Sequence, residues 1–506
     1  MKRLIPFFLL LYSVNLLAQV SKITGKITSA DDVTPINSVS IKVKDKITGT
    51  TSNSNGTFSL NYNGKFPITL IISAVGFETR ETEVTSPNQE ISVSLNPQTV
   101  MLNEVVSSAA RVSQNILQSP VSIEKMSLQA IKENPSFTFY DGLQSLKGME
   151  AVTSSITYKQ VNTRGFNTTG NSRFLQLVDG VDNQTPGLNF AVGNLFGASD
   201  IDIESAEVIP GAASALYGPV AFNGLLSLKS KDPFTYQGLS LQVKTGINHI
   251  NESFEDPKGL YDFALRYAKA FNDKFAFKVN ASYLTGVDWN ANDYTDVSAS
   301  TAPNLRGANN PARDALNIYG DEVSRNLTGI GVVSRTGYEE KDLMNYNVYS
   351  LKLNAALHYR ISDDIEAIYQ YNFGRGTASY TGSSRFDLNN FVLQTHRAEL
   401  RGSDFFVRSY VVSENSHDSY NTRSLAQFIN RDWVKDLNGN TVATTAADDT
   451  WFTRYAAAFN GTASGVSAAN HAAARTFADQ GRFVPGTAEF DQSKDASIHN
   501  YGLSGA

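Results

Sequence analysis

The most constraining feature of this sequence is the spacing of its strand-like runs between residues 236 and 415. Long and short connections alternate between these runs, so all the tight turns fall at one end of the predicted sheet. A soluble sandwich has no reason to keep its tight turns at one end, whereas a barrel in the bacterial outer membrane has short turns inside and long loops outside. The runs are 236–250, 260–271, 275–286, 348–361, 365–375, 387–400 and 405–415.

The connections between these runs form two sets. The predicted long connections are 251–259, 287–347 and 376–386. The predicted tight turns are Asn272-Asp273-Lys274, Ser362-Asp363-Asp364 and Gly402-Ser403-Asp404. This division predicts an antiparallel transmembrane β-barrel wall with its long connections outside the cell.

Within the runs, apolar and polar residues alternate, as on a strand with one apolar and one polar face. In the first run, Leu241 and Val243 share one face, while Gln242 and Lys244 share the other. Each run has about ten or more residues, which is enough for a tilted strand to cross a hydrocarbon core. Alternation alone leaves open a large soluble antiparallel sheet with one solvated face.

The composition of the chain argues against several classes of function. The chain has 506 residues, a net charge of −6 and no basic stripe, which argues against a nucleic-acid partner. The absence of cysteine excludes disulfides, thiol catalysis and cysteine-ligated metals from these residues. The six histidines (249, 358, 396, 417, 471 and 499) show no metal-ligand spacing, and no Gly-x-Ser-x-Gly elbow occurs. We therefore expect no enzyme activity, no metal and no cofactor, although a secreted enzyme is an alternative class.

Residues 1–18 are predicted to be a secretory signal peptide. Lys2 and Arg3 supply the positive start, an apolar region follows, and Ala18-Gln19 offers a small-residue cleavage point. A membrane anchor is the alternative, but the apolar region is short and contains Pro6, Ser13 and Asn15. We expect the mature protein to begin near Gln19.

Residues 19–97 are predicted to form a small β-sandwich, because short β-branched runs alternate with turn sequences such as Asn63-Gly64. The strings Ile23-Thr24-Gly25-Lys26-Ile27, Asn55-Gly56-Thr57-Phe58 and Ala74-Val75-Gly76-Phe77 resemble the carboxypeptidase-regulatory-like domain. That resemblance implies an immunoglobulin-like accessory sandwich without peptidase activity.

Residues 98–113 are predicted to be a linker. It contains a β-prone hexamer, which could be extended and add as a strand to the sheet edge of a partner. The alternative is that the hexamer only begins the first strand of the next domain. Its residues are Leu102, Asn103, Glu104, Val105, Val106 and Ser107.

The pattern of residues 114–233 predicts a compact domain of helices and strands. It includes a short helix near Ser127–Asn134 and strands that are separated by glycines. Its ordered strings are similar to the plug domain of TonB-dependent outer-membrane receptors. They run from Thr163-Arg164-Gly165-Phe166 through Leu177-Val178-Asp179-Gly180-Val181 and Ile203-Glu204-Ser205-Ala206-Glu207-Val208-Ile209-Pro210-Gly211 to Ala215-Leu216-Tyr217-Gly218 and Asn223-Gly224-Leu225.

The residue types in these strings fit a folded domain inside a confined lumen. The glycines at 165, 180, 211, 218 and 224 allow left-handed or close-packed backbone. Arg164 and Glu204 or Glu207 could pair with a polar barrel wall. Ordinary surface charges on a soluble α/β domain are the alternative.

The resemblance implies a mainly β chain: an immunoglobulin-like β-sandwich, an α+β plug domain, and the first part of an antiparallel transmembrane β-barrel at 234–506. The chain ends at Leu503-Ser504-Gly505-Ala506 without the terminal aromatic strand of the family. We therefore expect it to be part of a longer receptor.

The resemblance also implies a function and a set of partners. We expect a receptor in the bacterial outer membrane, with its sandwich in the periplasm, that imports a siderophore, metal chelate, vitamin or glycan. TonB, with its inner-membrane energising complex, would pair with residues 102–107 and pull the plug. Outer-membrane lipid is a second expected partner, and a surface lipoprotein stays open. The ligand-binding residues cannot be read from the sequence. A surface adhesin barrel without active transport is the alternative function.

Overall fold

The computed structural model describes residues 21–97, 105–106, 114–116, 119, 121–165, 169–249, 256–298, 309–382, 384–463, 465–466 and 468–501. The predicted signal peptide and most of the predicted linker lie outside these residues. Within the described part of the chain, no helix is both long and apolar enough to cross a membrane.

The first unit, which we call the sandwich, consists of two facing β-sheets. One sheet has the order Thr57–Tyr62, Ser21–Ser29, Glu90–Leu95, and the other has the order Gly49–Thr51, Ser40–Val43, Ile68–Ser73, Arg80–Val84. Alternate residues of these strands point inward and form one apolar core, as the period of two requires. The β-branched runs that the sequence predicts as strands are confirmed, and two strands, Gly49–Thr51 and Arg80–Val84, are additional. The predicted runs are Lys22–Thr28, Val39–Val43, Thr57–Tyr62, Ile68–Ser73 and Glu90–Leu95.

The second unit is the plug, built on a five-stranded sheet. Its order is Glu124–Met126, Ile203–Ile209, Gly224–Ser230, Phe174–Val178, Val181–Asp182, and only the pairing of Phe174–Val178 with Gly224–Ser230 is parallel. A hairpin of Met149–Ser155 and Tyr158–Thr163 and a short pair, Gln184–Thr185 with Phe190–Ala191, complete its strands.

The helices of the plug are short. The helix Leu128–Glu133 begins where the Ser127 side chain accepts a hydrogen bond from the amide of Ala130. It confirms the helix predicted near Ser127–Asn134. The other helical turns are Phe139–Gly142, Leu143–Ser145, Asp200–Asp202, Ser214–Tyr217 and Pro219–Phe222.

The third unit, which we call the wall, is an antiparallel meander of seven long strands. Each strand pairs with its neighbour in sequence, and the described strands do not close into a ring. The predicted runs are confirmed, and their tight turns lie together at one end. The strands are Gly238–Asn248, Lys258–Phe271, Phe275–Val287, Asn347–Arg360, Glu366–Thr381, Arg385–Arg401 and Phe406–Asn415.

The predicted long connection 376–386 is wrong, because most of it is strand. Strand Glu366–Thr381 and strand Arg385–Arg401 pair almost to their ends, with a bulge between Gly376 and Ala378. Gly374 and Gly376 lie at the start of this stretch, and a Cβ at either position would collide with Phe196 or Leu195 of the plug. These glycines therefore mark a close approach of two units and do not mark the end of a strand.

The remaining long connections fold into a unit at the other end of the wall, which we call the loop domain. It joins elements between residues 309 and 346 to the chain after the seventh wall strand around apolar cores that include Trp433 and Trp451. The chain after the seventh wall strand is therefore largely helical. The strands of this domain are Ile318–Tyr319, Ser324–Leu327, Gly331–Ser334, Tyr338–Glu339 and Tyr420–Asn421, and its helices are Glu340–Leu343, Thr422–Asp432, Thr444–Phe459, His471–Ala478 and Ala488–Tyr501.

The chain is thus mainly β, with a sandwich, an α+β plug and an antiparallel transmembrane-type barrel wall. The plug packs on one face of the wall, the sandwich lies at the tight-turn end, and the loop domain lies at the long-connection end.

Candidate functional site

The candidate site is the interface between the plug and the wall. The wall presents opposite chemistries on its two faces, because alternate residues of each strand point to opposite sides. Leu241 and Val243 are 68% and 65% exposed, whereas the inward side chains of Arg266 and Lys278 are each 2% exposed. Over this part of the interface the plug covers a polar surface, and the apolar face of the wall stays exposed in the described part of the chain. Near the long-connection end, an apolar cluster that includes Phe196 of the plug and Phe391 of the wall also joins the two units.

Asp202 is the central contact of this interface. Its Oδ1 accepts a hydrogen bond of 2.6 Å from Arg266 Nε, and its Oδ2 accepts one of 2.8 Å from Lys278 Nζ. Asn280 Nδ2 donates to the same Oδ2 at 3.1 Å. A buried carboxylate with two cations and an amide is a satisfied ionic network, so it holds the plug in one orientation.

Two further carboxylates of the plug region pair with the wall on either side of Asp202. Asp200 accepts a hydrogen bond of 3.1 Å from Lys244 Nζ. Asp232 accepts one of 3.2 Å from Arg401 Nη2. Asp200, Asp202 and Asp232 were missed by the sequence analysis. The sequence Asp200-Ile201-Asp202-Ile203 alternates acidic and apolar residues at the start of a buried strand. This pattern could have indicated that the two acids face a polar surface.

The predicted pair Asp179 and Gly180 forms a two-residue turn, with φ values of 51° and 76°. The turn touches the wall: Gln370 Nε2 donates to Asp179 Oδ2 at 3.0 Å, and Arg408 Nη1 donates to the Gly180 carbonyl at 3.1 Å. A Cβ at position 180 would strike the Arg408 guanidinium. Burial alone would raise the pKa of Asp179, but the charges of Lys278 and Arg397 hold it well below its ordinary value.

A cavity of about 1150 Å³ separates part of the plug from the wall. Its lining is densely charged, and both units contribute to it. A cavity with so many polar groups suits water, so the interface is only partly dry. The acidic and basic lining residues are Asp179, Asp182, Glu207, Lys229, Lys231, Asp232, Lys278, His358, Arg397, Glu399, Arg401, Asp404 and Arg408.

One side-chain group beside this cavity has the composition of a metal site. Ligand atoms of Asp232, His358 and Glu366 lie within 4.8 Å of one another. Arg401 Nη2 already contacts Asp232 at 3.2 Å and Glu366 at 2.8 Å, and His358 Nδ1 lies 2.6 Å from Glu366. Because the guanidinium occupies both carboxylates, we assign the group to an ion-pair network between plug and wall.

The predicted wall contacts of Arg164 and Glu204 differ from those in the structure. Arg164 is exposed, and its guanidinium lies over Gly211 of the plug. Glu204 Oε1 pairs with Lys229 of the neighbouring plug strand at 3.1 Å. Side chains across adjacent strands are closer than the wall, which explains why Glu204 pairs within the sheet. Glu207 lines the cavity.

The other residues predicted from the plug strings determine the local backbone conformation and packing of the plug. Gly165, Gly211 and Gly218 have positive φ values, and Tyr217 packs beside a plug core. A Cβ at Gly224 would crowd Phe174 and Thr163. Phe166 lies outside the described residues. These residues thus shape the plug, and the charges that join it to the wall come mainly from other positions.

Of the hexamer 102–107, only Val105 and Val106 lie within the described residues. They pair with Gln114 and Asn115 as two short antiparallel strands. The Val106 side chain is fully buried in an apolar cluster of the plug, beside residues such as Leu175 and Leu225. This end of the hexamer is therefore packed against the plug.

The loop domain is joined to the long-connection end of the wall. Glu340 is fully buried, and it accepts hydrogen bonds of 2.9 Å from Arg385 and 2.8 Å from Tyr319. Below it, Asp288 Oδ1 accepts a hydrogen bond of 2.8 Å from the Ile156 amide of the plug. Burial raises the pKa of Asp288 to about 6. Plug, wall and loop domain therefore meet at this end.

Comparison with known proteins follows the same division of the chain. A family model described as CarboxypepD_reg-like domain matches residues 23–107. A model described as TonB-dependent Receptor Plug Domain matches residues 115–225. TonB-dependent receptor P3 of Formosa agariphila is 28% identical over 313 residues, which cover 59% of this chain and 29% of that protein. The chain thus spans less than a third of that curated relative.

Two solved structures are also similar. The siderophore receptor PirA from Pseudomonas aeruginosa has 16% identity and a TM-score of 0.36, with 60% of this chain and 41% of that chain covered. The alcaligin outer membrane receptor FauA from Bordetella pertussis has 11% identity and a TM-score of 0.37, with 63% of this chain and 42% of that chain covered.

The structure thus shows a plug held by buried ion pairs on the polar face of a long-stranded antiparallel wall. The two matched models divide the chain in the same way, with a CarboxypepD_reg-like domain ahead of a TonB-dependent Receptor Plug Domain.

Proposed function

We propose that this chain is the sandwich, plug and first wall portion of an outer-membrane receptor that imports a scarce solute by TonB-driven plug displacement. The single observation that carries the proposal is the Asp202 contact. It fastens the plug through two buried cations to the polar face of a wall whose other face is apolar. A wall with that arrangement suits lipid outside and a filled lumen inside.

The apolar face supports placement in a membrane. Its side chains stay uncovered by the rest of the described chain, and in water such a continuous patch would promote association. In a bilayer the same side chains meet lipid, and the strands are long enough to cross it. The exposed residues of this face include Leu239, Leu241, Val243, Ile247, Phe263, Leu265, Val279, Leu353, Leu357, Val407 and Val411.

The plug–wall interface supports displacement of the plug. The ion pairs and hydrogen bonds of this interface can be exchanged for water as the plug moves. The apolar cluster around Phe196 and Phe391 would have to separate in the same movement. The charged cavity of about 1150 Å³ already places solvent-compatible space between the two units. Pulling on the plug would enlarge this space into a passage along the wall.

The segment Leu102–Ser107 is the proposed contact with TonB. A β-prone strand can add to the sheet edge of a partner by main-chain hydrogen bonds. Val105 and Val106 already use such bonds with Asn115 and Gln114. TonB, energised by its inner-membrane complex, would compete for this strand and apply force to the plug through it.

The solute would be captured at the loop-domain end. A siderophore, a metal chelate, a vitamin and a glycan all fit this proposal, and a surface lipoprotein could assist with a glycan. The receptor would act without covalent chemistry, because binding and displacement suffice for import.

The test uses the full-length receptor in its own bacterium. Leu102→Pro removes a strand hydrogen-bond donor and fixes φ without touching the Val106 packing. We expect it to abolish uptake of whichever labelled ferric siderophore, cobalamin or oligosaccharide the wild-type strain imports, with binding to whole cells retained. Gln98→Pro, in the same connection but outside the hexamer, is the matched control.

Two outcomes contradict the proposal. Unchanged uptake by Leu102→Pro would show that force does not reach the plug through this segment. Normal growth of a receptor-deletion strain on every limiting nutrient, together with lost surface adhesion, would favour an adhesin barrel.

A further inference from the structure

The sandwich contacts the wall through one of its turns. The Ile47 amide donates a hydrogen bond of 3.3 Å to the Asp363 carbonyl in the tight turn that joins two wall strands. Lys46 Nζ lies 2.7 Å and 2.8 Å from the two carboxylate oxygens of Asp364 in the same turn. The sandwich turn therefore makes both a backbone and an ionic contact with the wall.

A second set of contacts widens this interface. Arg360, at the end of a wall strand, donates to the Ile47 carbonyl at 3.2 Å and to the Asp273 carbonyl of the next tight turn at 3.3 Å. Asn61 of the sandwich lies beside the Asp273 carboxylate. Two neighbouring tight turns of the wall thus hold one edge of the sandwich.

One lysine of the sandwich lies close to charged residues that line the cavity between plug and wall. Desolvation by surrounding protein, together with the positive charges of Lys229 and Arg401, lowers the pKa of Lys42 in strand Ser40–Val43. Lys229 belongs to the plug, Arg401 belongs to the wall, and both line the cavity. Lys42 therefore lies within the electrostatic range of the cavity mouth.

We propose that the tight turns Asn272–Lys274 and Ser362–Asp364 are a docking surface for the sandwich of the same chain, which covers the tight-turn mouth of the plug–wall cavity. The Asp364 carboxylate and the Asp363 carbonyl fit a turn that presents Lys46 and the Ile47 amide. The sandwich is then a cover that has to leave these turns before a solute can pass through this mouth. That last consequence rests on the proposed import function, whereas the docking itself does not.

The chain offers a matched pair of charge reversals. Lys46→Glu places a like charge beside Asp364, while Lys44→Glu makes the same change two residues away, where the lysine pairs with Glu81 inside the sandwich. Because residues 1–506 contain no cysteine, a Lys229→Cys substitution supplies the only thiol of these residues in the cavity, and any cysteine elsewhere in the receptor is replaced by serine. The reagent is a polyethylene-glycol maleimide of about 5 kDa, applied to purified full-length receptor in detergent.

We expect Lys46→Glu to increase the labelling rate of this thiol about five-fold, the size expected when a part-exposed ion pair becomes a like-charge contact. Lys44→Glu should leave the rate unchanged. The double variant Lys46→Glu with Asp364→Lys should restore the slow rate, because it rebuilds the ion pair in reverse.

A second measurement does not depend on the reporter. A backbone hydrogen bond between Ile47 and Asp363 implies a Cα separation of about 5 Å, which is within disulfide range. We expect Ile47→Cys with Asp363→Cys to form a reducible disulfide in the periplasm, and Glu81→Cys with Asp363→Cys to form none.

The two results separate docking from import. Equal labelling of all variants, or failure of the 47–363 disulfide to form, would overturn the docking proposal. Neither measurement uses TonB or a solute, so loss of the proposed import function would leave both results unchanged.

Discussion

Asp202 of the plug accepts a hydrogen bond of 2.8 Å from Lys278 of the wall, although 76 residues separate them in the chain. Arg266 holds the other carboxylate oxygen. One buried acid thus joins a folded domain to two neighbouring strands of the wall.

Replacing Asp202 by alanine should weaken the attachment of the plug to the wall. The change leaves Arg266 and Lys278 buried without their carboxylate, and breaking such a buried pair costs about 3–5 kcal/mol. Hydrogen exchange of the receptor in detergent should show faster exchange in the plug strands Ile203–Ile209 and Gly224–Ser230. Glu204→Ala is the control, because its partner Lys229 is 60% exposed and the pair contributes about 1 kcal/mol or less. Equal protection in both variants would contradict the central role of Asp202.

Val106→Ala should release the strand that precedes the plug. The side chain is fully buried, and removing two methyl groups costs about 1–2 kcal/mol at roughly 0.8 kcal/mol per group. Limited proteolysis should then cut within residues 98–113 several-fold faster than in the wild type. Val121→Ala, at a site 37% exposed, should not change the cleavage rate. Unchanged cleavage in Val106→Ala would show that the buried valine does not hold this strand.

The loop domain should lose stability as pH rises from about 4 to 7 because of Asp321. Burial, with the negative charges of Asp314 and Glu322, raises the pKa of Asp321 to about 7 against the opposing charge of Arg313. Between the ordinary value of 3.8 and about 7, the folded state keeps a proton that the unfolded state has lost. The slope is therefore negative, at most about 1.4 kcal/mol per pH unit.

Asp321→Asn removes this titration and isolates its effect. Asp288, whose pKa is raised to about 6, adds a slope of the same sign that remains in the variant. Arg475 is a further charge coupled to Asp321 and is unchanged in the variant. Protease resistance of the loop domain at pH 5 and pH 8 should differ less in Asp321→Asn than in the wild type. An identical difference in the two proteins would show that Asp321 does not titrate in this range.

Leu241→Arg should impair insertion of the wall. The side chain is 68% exposed on the apolar face, and a cation near the middle of a bilayer costs about 2–4 kcal/mol. The amount of heat-modifiable receptor in the outer-membrane fraction should fall. Gln242→Arg, one residue along, points toward Asp200 and Asp262 and should insert normally. If both variants inserted equally, the apolar face would not be the lipid face.

The strands of the wall could be predicted from the sequence because the pattern that indicates them lies within each strand and its turn. Residues such as Leu239, Leu241 and Val243 alternate with polar neighbours, and the register of each hairpin follows from its own tight turn. The connection 376–386 was mispredicted for a non-local reason. Gly374 and Gly376 lack side chains because Phe196 and Leu195 pack against them, and nothing near them in sequence records that contact.

The candidate site was predictable only in part. Asp179 and Gly180 form a turn whose chemistry is local, so the string identified it. Asp202 pairs with residues 64 and 76 positions away, and its partners depend on how the plug is seated. Glu204 is a second charge whose partner could not be predicted from the sequence. It pairs with Lys229 on the adjacent plug strand and not with the wall.

Gly374 and Gly376 leave room on the inner surface of the wall for Phe196 and Leu195 of the plug, which pack closely against these two positions. A Cβ at position 374 would press on the Phe196 ring, and one at position 376 would press on Leu195. If the plug is displaced as proposed above, alanine at either position would therefore obstruct its passage along the wall.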